Sequence, residues 1–183
     1  MKKLIIFIAM LLCSGQVVAA TALRNGLYLN GKVGAARTQV KGDNVSAKKK
    51  GIPFALALGA RIYHFRVEAE YAFMPKVKAK DFEVQSDTAL AQVYYDFPLK
   101  SRIRPFLNVG AGRHSTKVKQ VGKVSKTQHG IAYNLGGGLS FSISRASNFD
   151  LGYRYVRFRE IKSQIGKIEP ESHMVYIGWR YVF

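Results

Sequence analysis

Apolar residues in this chain recur with a period of two, most cleanly in its last segment. Residues 171–183 read ESHMVYIGWRYVF, with Val175, Ile177, Trp179, Tyr181 and Phe183 at alternate positions. Successive side chains of a strand point to opposite faces. These five therefore share one apolar face, and Met174, Tyr176, Gly178, Arg180 and Val182 share the other. The alternation returns seven times upstream, over Leu27–Ala35, Phe54–Ile62, Phe65–Phe73, Ala89–Phe97, Ile103–Ala111, Ile131–Ile143 and Phe149–Tyr155. A period of two sustained this far specifies sheet and not helix. Eight strands, an even number, suit an all-β, antiparallel up-and-down barrel, because closure removes the edges of an open sheet.

The connections alternate in length. Those around Tyr63–His64, Pro98–Arg102 and Arg145–Asn148 are short, whereas Thr38–Lys50, Lys76–Asp87, Lys117–Thr127 and Lys162–Glu171 are long and polar. Short turns at one end and long loops at the other are the layout of a transmembrane β-barrel.

Alternation alone leaves open a soluble, lipocalin-like barrel that encloses its apolar face and binds a small apolar ligand among Leu56, Leu107, Leu135 and Leu139. Three features point to lipid instead. Glycines crowd the polar face (Gly34, Gly59, Gly110, Gly112, Gly136, Gly138, Gly152, Gly178), where an enclosed lumen needs room and an exposed strand surface would favour better strand formers. The charges on that face are mostly arginines, suited to enclosed bidentate pairing, while the lysines collect in the long connections. Aromatics mark the strand ends: Phe65, Phe97, Phe141, Phe149 and Phe183 at the short turns, Phe54, Phe73 and Tyr155 opposite. Such girdles sit at a membrane's two interfaces.

The first twenty residues read as a separate segment. Lys2 and Lys3 precede an apolar run from Leu4 to Leu12 and then Val18-Ala19-Ala20, the layout of a secretory signal peptide. The run is well short of the roughly 20 residues a spanning helix needs. Residues 1–20 are thus expected to be signal and 21–183 one barrel domain. Acylation at Cys13 is a second possibility, disfavoured by Leu12 before it. Cleavage after Ala20 removes that cysteine, leaving no disulfide and no Cys-based metal site. The full chain carries a formal charge of +18, or +16 without the two signal lysines. Such a balance favours anionic partners.

The segments NGLYLNGKVGAA, FRVEAEYAF, RPFLNVGAG, NFDLGYRYVRF and IGWRYVF resemble the small eight-stranded outer-membrane β-barrel family that includes the OmpA transmembrane domain, OmpX-type proteins and the opacity proteins. That resemblance implies a bacterial outer-membrane location with the long loops extracellular. It also implies that Val175, Ile177, Trp179, Tyr181 and Phe183 form the C-terminal signal read by the barrel-assembly machinery. Host-surface adhesion and complement resistance are among the family's roles. A departure from the full-length OmpA type is also expected, with no C-terminal peptidoglycan-binding domain after the barrel.

Two sets of residues are candidates for function. The lumen face carries Lys32, Arg61, Arg66, Arg104, Arg154 and Arg180 against Glu68, Glu70, Asp96 and Asp150, a near-balance that predicts an ion network plugging the barrel. A narrow porin-like channel is the alternative. The first and third long loops carry Arg37, Lys41, Lys48, Lys49 and Lys50, and Arg113, Lys117, Lys119, Lys123 and Lys126, almost without acids. They predict a non-enzymatic surface that binds lipopolysaccharide phosphates or anionic host glycans. Nucleic acid is not expected, for want of any recognition motif. An outer-leaflet lipid-modifying enzyme would need His64, His114, His129 or His173 beside a nucleophile. The pairs His114–Ser115 and Ser172–His173 are adjacent and point apart, and His173 with Ser115 lacks an orienting acid. Neither a cofactor nor a metal is expected.

Overall fold

The computed structural model describes residues 26–42, 45–79, 82–120, 126–160 and 169–183. They form β1 (Leu27–Gly42), β2 (Val45–Gly51), β3 (Phe54–Ile62), β4 (Phe65–Ala79), β5 (Phe82–Asp96), β6 (Ile103–Gln120), β7 (Lys126–Ser142), β8 (Ser147–Glu160) and β9 (Glu169–Val182). Sequential strands pair antiparallel, and β1 pairs with β9, so the sheet closes. The expected signal segment lies outside the described residues.

Nine strands make eight staves. Both β2 and β3 pair with β1, one above the other, and the stave is interrupted at Ile52–Pro53. Proline has no N–H to donate to the ladder. Its carbonyl accepts from the Gly34 N–H at 3.0 Å, which ties the break to β1.

Closure fixes the barrel's shape. Crossing the paired residues from Leu27 through Ala60, Val67, Val93, Val109, Leu135, Tyr155 and His173 returns to β1 at Arg37, a stagger of ten residues (27 to 37). With eight staves, that stagger tilts the strands by about 40° from the axis.

The strands run farther than the apolar alternation does. In β6 the outward apolar positions end at Ala111, yet pairing continues to Gln120. Most of the first three connections read as long loops is therefore strand: Thr38–Gly42 and Val45–Lys50, Lys76–Ala79 and Phe82–Asp87, and Lys117–Gln120 with Lys126–Thr127. Of the fourth, Glu169–Glu171 is strand and the rest lies outside the described residues. A ladder of backbone hydrogen bonds is indifferent to side-chain polarity, so the barrel wall continues past the apolar band. The short turns stay short. Tyr63 begins the β3–β4 turn with φ 55°, the positive φ that the mirror-image hairpin turns require.

The outside is apolar and the inside polar. Leu56 and Leu135 are each 59% exposed, whereas Arg66 is 0% and Glu68 1% exposed. The soluble alternative is thereby overturned, since Leu56, Leu107, Leu135 and Leu139 all face outward. Aromatic girdles flank the band. Phe54 stacks on Phe73 at 5.7 Å, and at the other end Phe65, Tyr95 and Phe97 form one chain of ring contacts while Trp179, Tyr181 and Phe183 form another.

Candidate functional site

The middle of the lumen is an ionic layer. Lys32 of β1 places Nζ 2.5 Å from Glu68 Oε2 and 2.6 Å from Glu70 Oε2, both on β4, and donates to Tyr94 Oη at 2.8 Å. Arg154 of β8 reaches across to Glu70, with Nη1 2.6 Å from Oε1 and Nη2 3.1 Å from Oε2, so each prong of the fork takes one carboxylate oxygen. Arg66 bridges Asp96 at 2.8 Å and Asp150 at 3.1 Å. Arg180 lies 3.4 Å from Asp150 and donates to Ser140 Oγ at 2.9 Å. Tyr28 and Asn30 complete the shell of Glu68. Four buried cations thus meet four buried carboxylates. An enclosed charge stripped of its partner is costly, and this layer leaves none stripped.

Aromatic rings fill what the charges leave. The Arg66 guanidinium stands 4.5 Å from the Tyr94 ring centroid, and that of Arg154 5.1 Å from Tyr176. Tyr28 and Tyr176 lie across from Gly59 and Gly152 on the neighbouring staves. A Cβ at either glycine would run into the facing ring, so glycine is what admits the tyrosine. These tyrosines, with Phe106, Asn108 and Gln92, share the lumen parity of the charges. That parity was the available signal for them, although reading charges alone passes over them.

Arg61 and Arg104, placed by sequence in the same network, do not join it. They stand half-buried at the short-turn mouth and form no ion pair among the described residues, because the four carboxylates lie deeper and are taken by Lys32, Arg66, Arg154 and Arg180. Above the ionic layer, toward the long connections, Leu90, Ala132 and Val156 make an apolar layer, with Phe158 against it. His114 caps that layer above the apolar band, its ring 4.5 Å from Phe158 and its nitrogens within reach of Thr88 and Thr116. Burial pushes its pKa below the ordinary imidazole value, opposed by Asp87.

The histidine–serine pair considered from the sequence is not assembled. His173 on β9 and Ser115 on β6 are separated by β7 and β8, so that pair is not brought together. His173 instead contacts Tyr153 Oη at 2.6 Å. Among the described residues no group of three His, Cys, Asp or Glu side chains is placed to hold a metal ion.

Basic side chains do meet on the outer wall at the long-connection end. Lys50, Arg37 and His173 are directly paired across β2, β1 and β9, followed by Tyr155 on β8, so they form one row. Lys50 and Arg37 are exposed. Beneath them a groove of about 520 Å³ is lined by Ala35, Ile52, Tyr153 and Val175. Arg113 is exposed on β6, well around the wall. Strand pairing carries Lys41, Lys48, Lys49, Lys117, Lys119 and Lys126 above this level, but their side chains lie outside the described part of the structure, as does all of Lys123.

Comparison with known proteins agrees with this geometry. The family profile described as outer membrane protein beta-barrel domain matches residues 5–183. No curated protein sequence matches the chain. Among solved structures, Neisserial surface protein A (NspA) is 23% identical, with a TM-score of 0.70 over 86% of this chain and 97% of that one. Ail, the attachment invasion locus protein of Yersinia pestis, is 18% identical, with a TM-score of 0.54 over 86% and 99%. The N-terminal β-barrel domain of Pseudomonas aeruginosa OprF is 10% identical, with a TM-score of 0.53 over 83% and 97%. At these identities the likeness is one of fold.

Proposed function

The chain belongs to the outer membrane protein beta-barrel domain family, and on that premise we propose that it is a non-enzymatic surface protein binding anionic molecules through the basic extension at its long-connection end. The observation that carries this reading is a contrast in how the cations are treated. Those of the mid-lumen are matched one for one with carboxylates. Those on the outer wall, Lys50 and Arg37, are exposed in one row beside His173, with Arg113 elsewhere on the rim. The lysines farther along the same strands and loops add to this positive field. With short turns toward the periplasm and long connections outside, that field faces the cell exterior and the outer leaflet.

Phosphates of lipopolysaccharide and sulfated glycans fit the same chemistry, since both present dense oxyanions to Lys and Arg. The related barrel Ail was crystallised with the heparin analogue sucrose octasulfate. That ligand is Ail's, and here it supplies a probe. Assembly through the barrel-assembly machinery, with β9 as the label, belongs to the same reading.

The test uses the whole protein in lipid nanodiscs, titrated with sucrose octasulfate and with lipopolysaccharide at rising ionic strength. Binding is expected to weaken steadily as the Debye length falls from about 10 Å near 0.1 M salt toward about 3 Å near 1 M. The double variant Arg37→Gln/Lys50→Gln should bind several-fold more weakly. Affinity indifferent to both salt and the variant would overturn the proposal.

A further inference from the structure

The short-turn end of the barrel holds a second cationic site, unrelated to the wall and loops of the previous section. Closure of the barrel brings Arg61 at the end of β3, Arg102 and Arg104 at the start of β6, and Arg145 in the β7–β8 turn around one cavity of about 510 Å³. Ser142, Ser144 and Asn148 supply its polar lining, and Ile143 and Val182 its apolar edge. No carboxylate lines it, and none of the four arginines forms an ion pair among the described residues. The carboxylates nearest in the lumen, Asp96 and Asp150, are held by Arg66 and Arg180.

The donors here are under-used. Arg104 Nη2 donates to Ser142 Oγ at 2.8 Å, and the Ser142 hydroxyl donates in turn to Asn148 Oδ1 at 2.9 Å, which fixes the Arg104 guanidinium in place. Its Nε is buried without a partner. Arg61 gives one bond to the Tyr63 carbonyl at 3.3 Å. Ser144 Oγ accepts from the backbone N–H groups of Ala146 and Ser147, which leaves its hydroxyl proton free to donate. Elsewhere in the lumen, among the described residues, each buried cation has an acid beside it. Here four cations share a concave surface and repel one another.

From this geometry we infer that the short-turn mouth is a binding site for a compact polyanion of the diphosphate class, held by Arg61, Arg102, Arg104 and Arg145. Guanidinium forks match phosphoryl oxygens two at a time, and the free Ser144 hydroxyl can donate to the same groups. One phosphate is too small to engage all four arginines around a cavity of this size. Two linked phosphates can span it and relieve the repulsion on both sides. The site opens toward the periplasm when the long connections face outward. Its existence does not depend on the exterior surface being functional.

Isothermal titration of the whole protein in nanodiscs with pyrophosphate, orthophosphate and citrate tests this. Pyrophosphate should bind with one site per barrel, more weakly as salt rises, and at least tenfold more tightly than orthophosphate or citrate. The variant Arg61→Gln/Arg104→Gln should weaken pyrophosphate binding tenfold or more. Because those residues border the lumen, Arg102→Gln/Arg145→Gln, confined to exposed turn positions, serves as the second variant and should do the same. Arg37→Gln/Lys50→Gln, at the opposite end, should leave pyrophosphate binding unchanged. The inference is overturned by no binding, by citrate or orthophosphate binding as tightly as pyrophosphate, by turn variants that bind like the parent, or by loss in the opposite-end variant instead.

Discussion

Glu70 shows what a single residue contributes to this interior. Among the described residues it is the one carboxylate that Arg154 engages, and it shares Lys32 with Glu68. The variant Glu70→Leu would leave a fully enclosed guanidinium with no opposite charge, which costs about 3–5 kcal/mol. Urea unfolding from lipid vesicles should show a loss of that size. A loss under about 1 kcal/mol would mean that water reaches the layer and screens it. Glycine matters for the opposite reason, absence of bulk. Gly59→Ala would place a methyl against the Tyr28 ring, and overpacking of this kind costs about 1–3 kcal/mol. Combining it with Tyr28→Leu should recover part of that loss in the same assay. Failure of the double variant to recover any would show that the backbone itself, and not the ring, excludes the methyl.

At the level of the strand, the same element serves lipid on one face and the lumen on the other. In β7, Leu135 lies in the centre of the apolar band and Ile143 follows its end at the short-turn rim, and both are largely exposed. Leu135→Arg should therefore cost about 2–4 kcal/mol in a bilayer, and Ile143→Arg about 1 kcal/mol or less, because the penalty depends on depth. Equal costs at the two positions would place the band elsewhere. The last strand, β9, adds a second expectation. Phe183→Ala should lower the amount of folded protein reaching the outer membrane in cells while leaving refolding from urea into detergent unchanged. If both fall together, Phe183 acts through packing with Tyr181 and not as a label.

For the molecule as a whole, closure and the plug act together. Along the apolar band every stave has two neighbours, whereas β2 above it pairs with β1 alone, and the lumen is filled across its middle. Unboiled protein extracted from the outer-membrane fraction should migrate faster on a denaturing gel than the boiled chain. Identical mobility would argue against a closed barrel that resists detergent. The molecule also has two unlike ends. Its long-connection end extends the ladder far beyond the apolar band with basic strands, whereas its short-turn end gathers arginines around a cavity.

The amino-acid sequence by itself determined the strand class, the inward and outward parity and the apolar band, because each depends only on which residues alternate within one segment. Ala111 and Tyr155, for instance, can be assigned to the outer face without knowing any partner strand. The interruption at Ile52–Pro53 was less legible, since a proline between two strands reads equally well as the end of a loop. Strand length past the band was hidden because polar residues are neutral toward a ladder made by backbone groups. Only the tertiary structure decided which charges meet. Arg154 and Arg61 look alike in sequence, each an arginine on the lumen face, yet one grips Glu70 and the other faces Arg104 across an open mouth. The difference comes from the ten-residue stagger that closure imposes. It sets the height of each stave against the next, and pairing between charges falls off within a few ångströms.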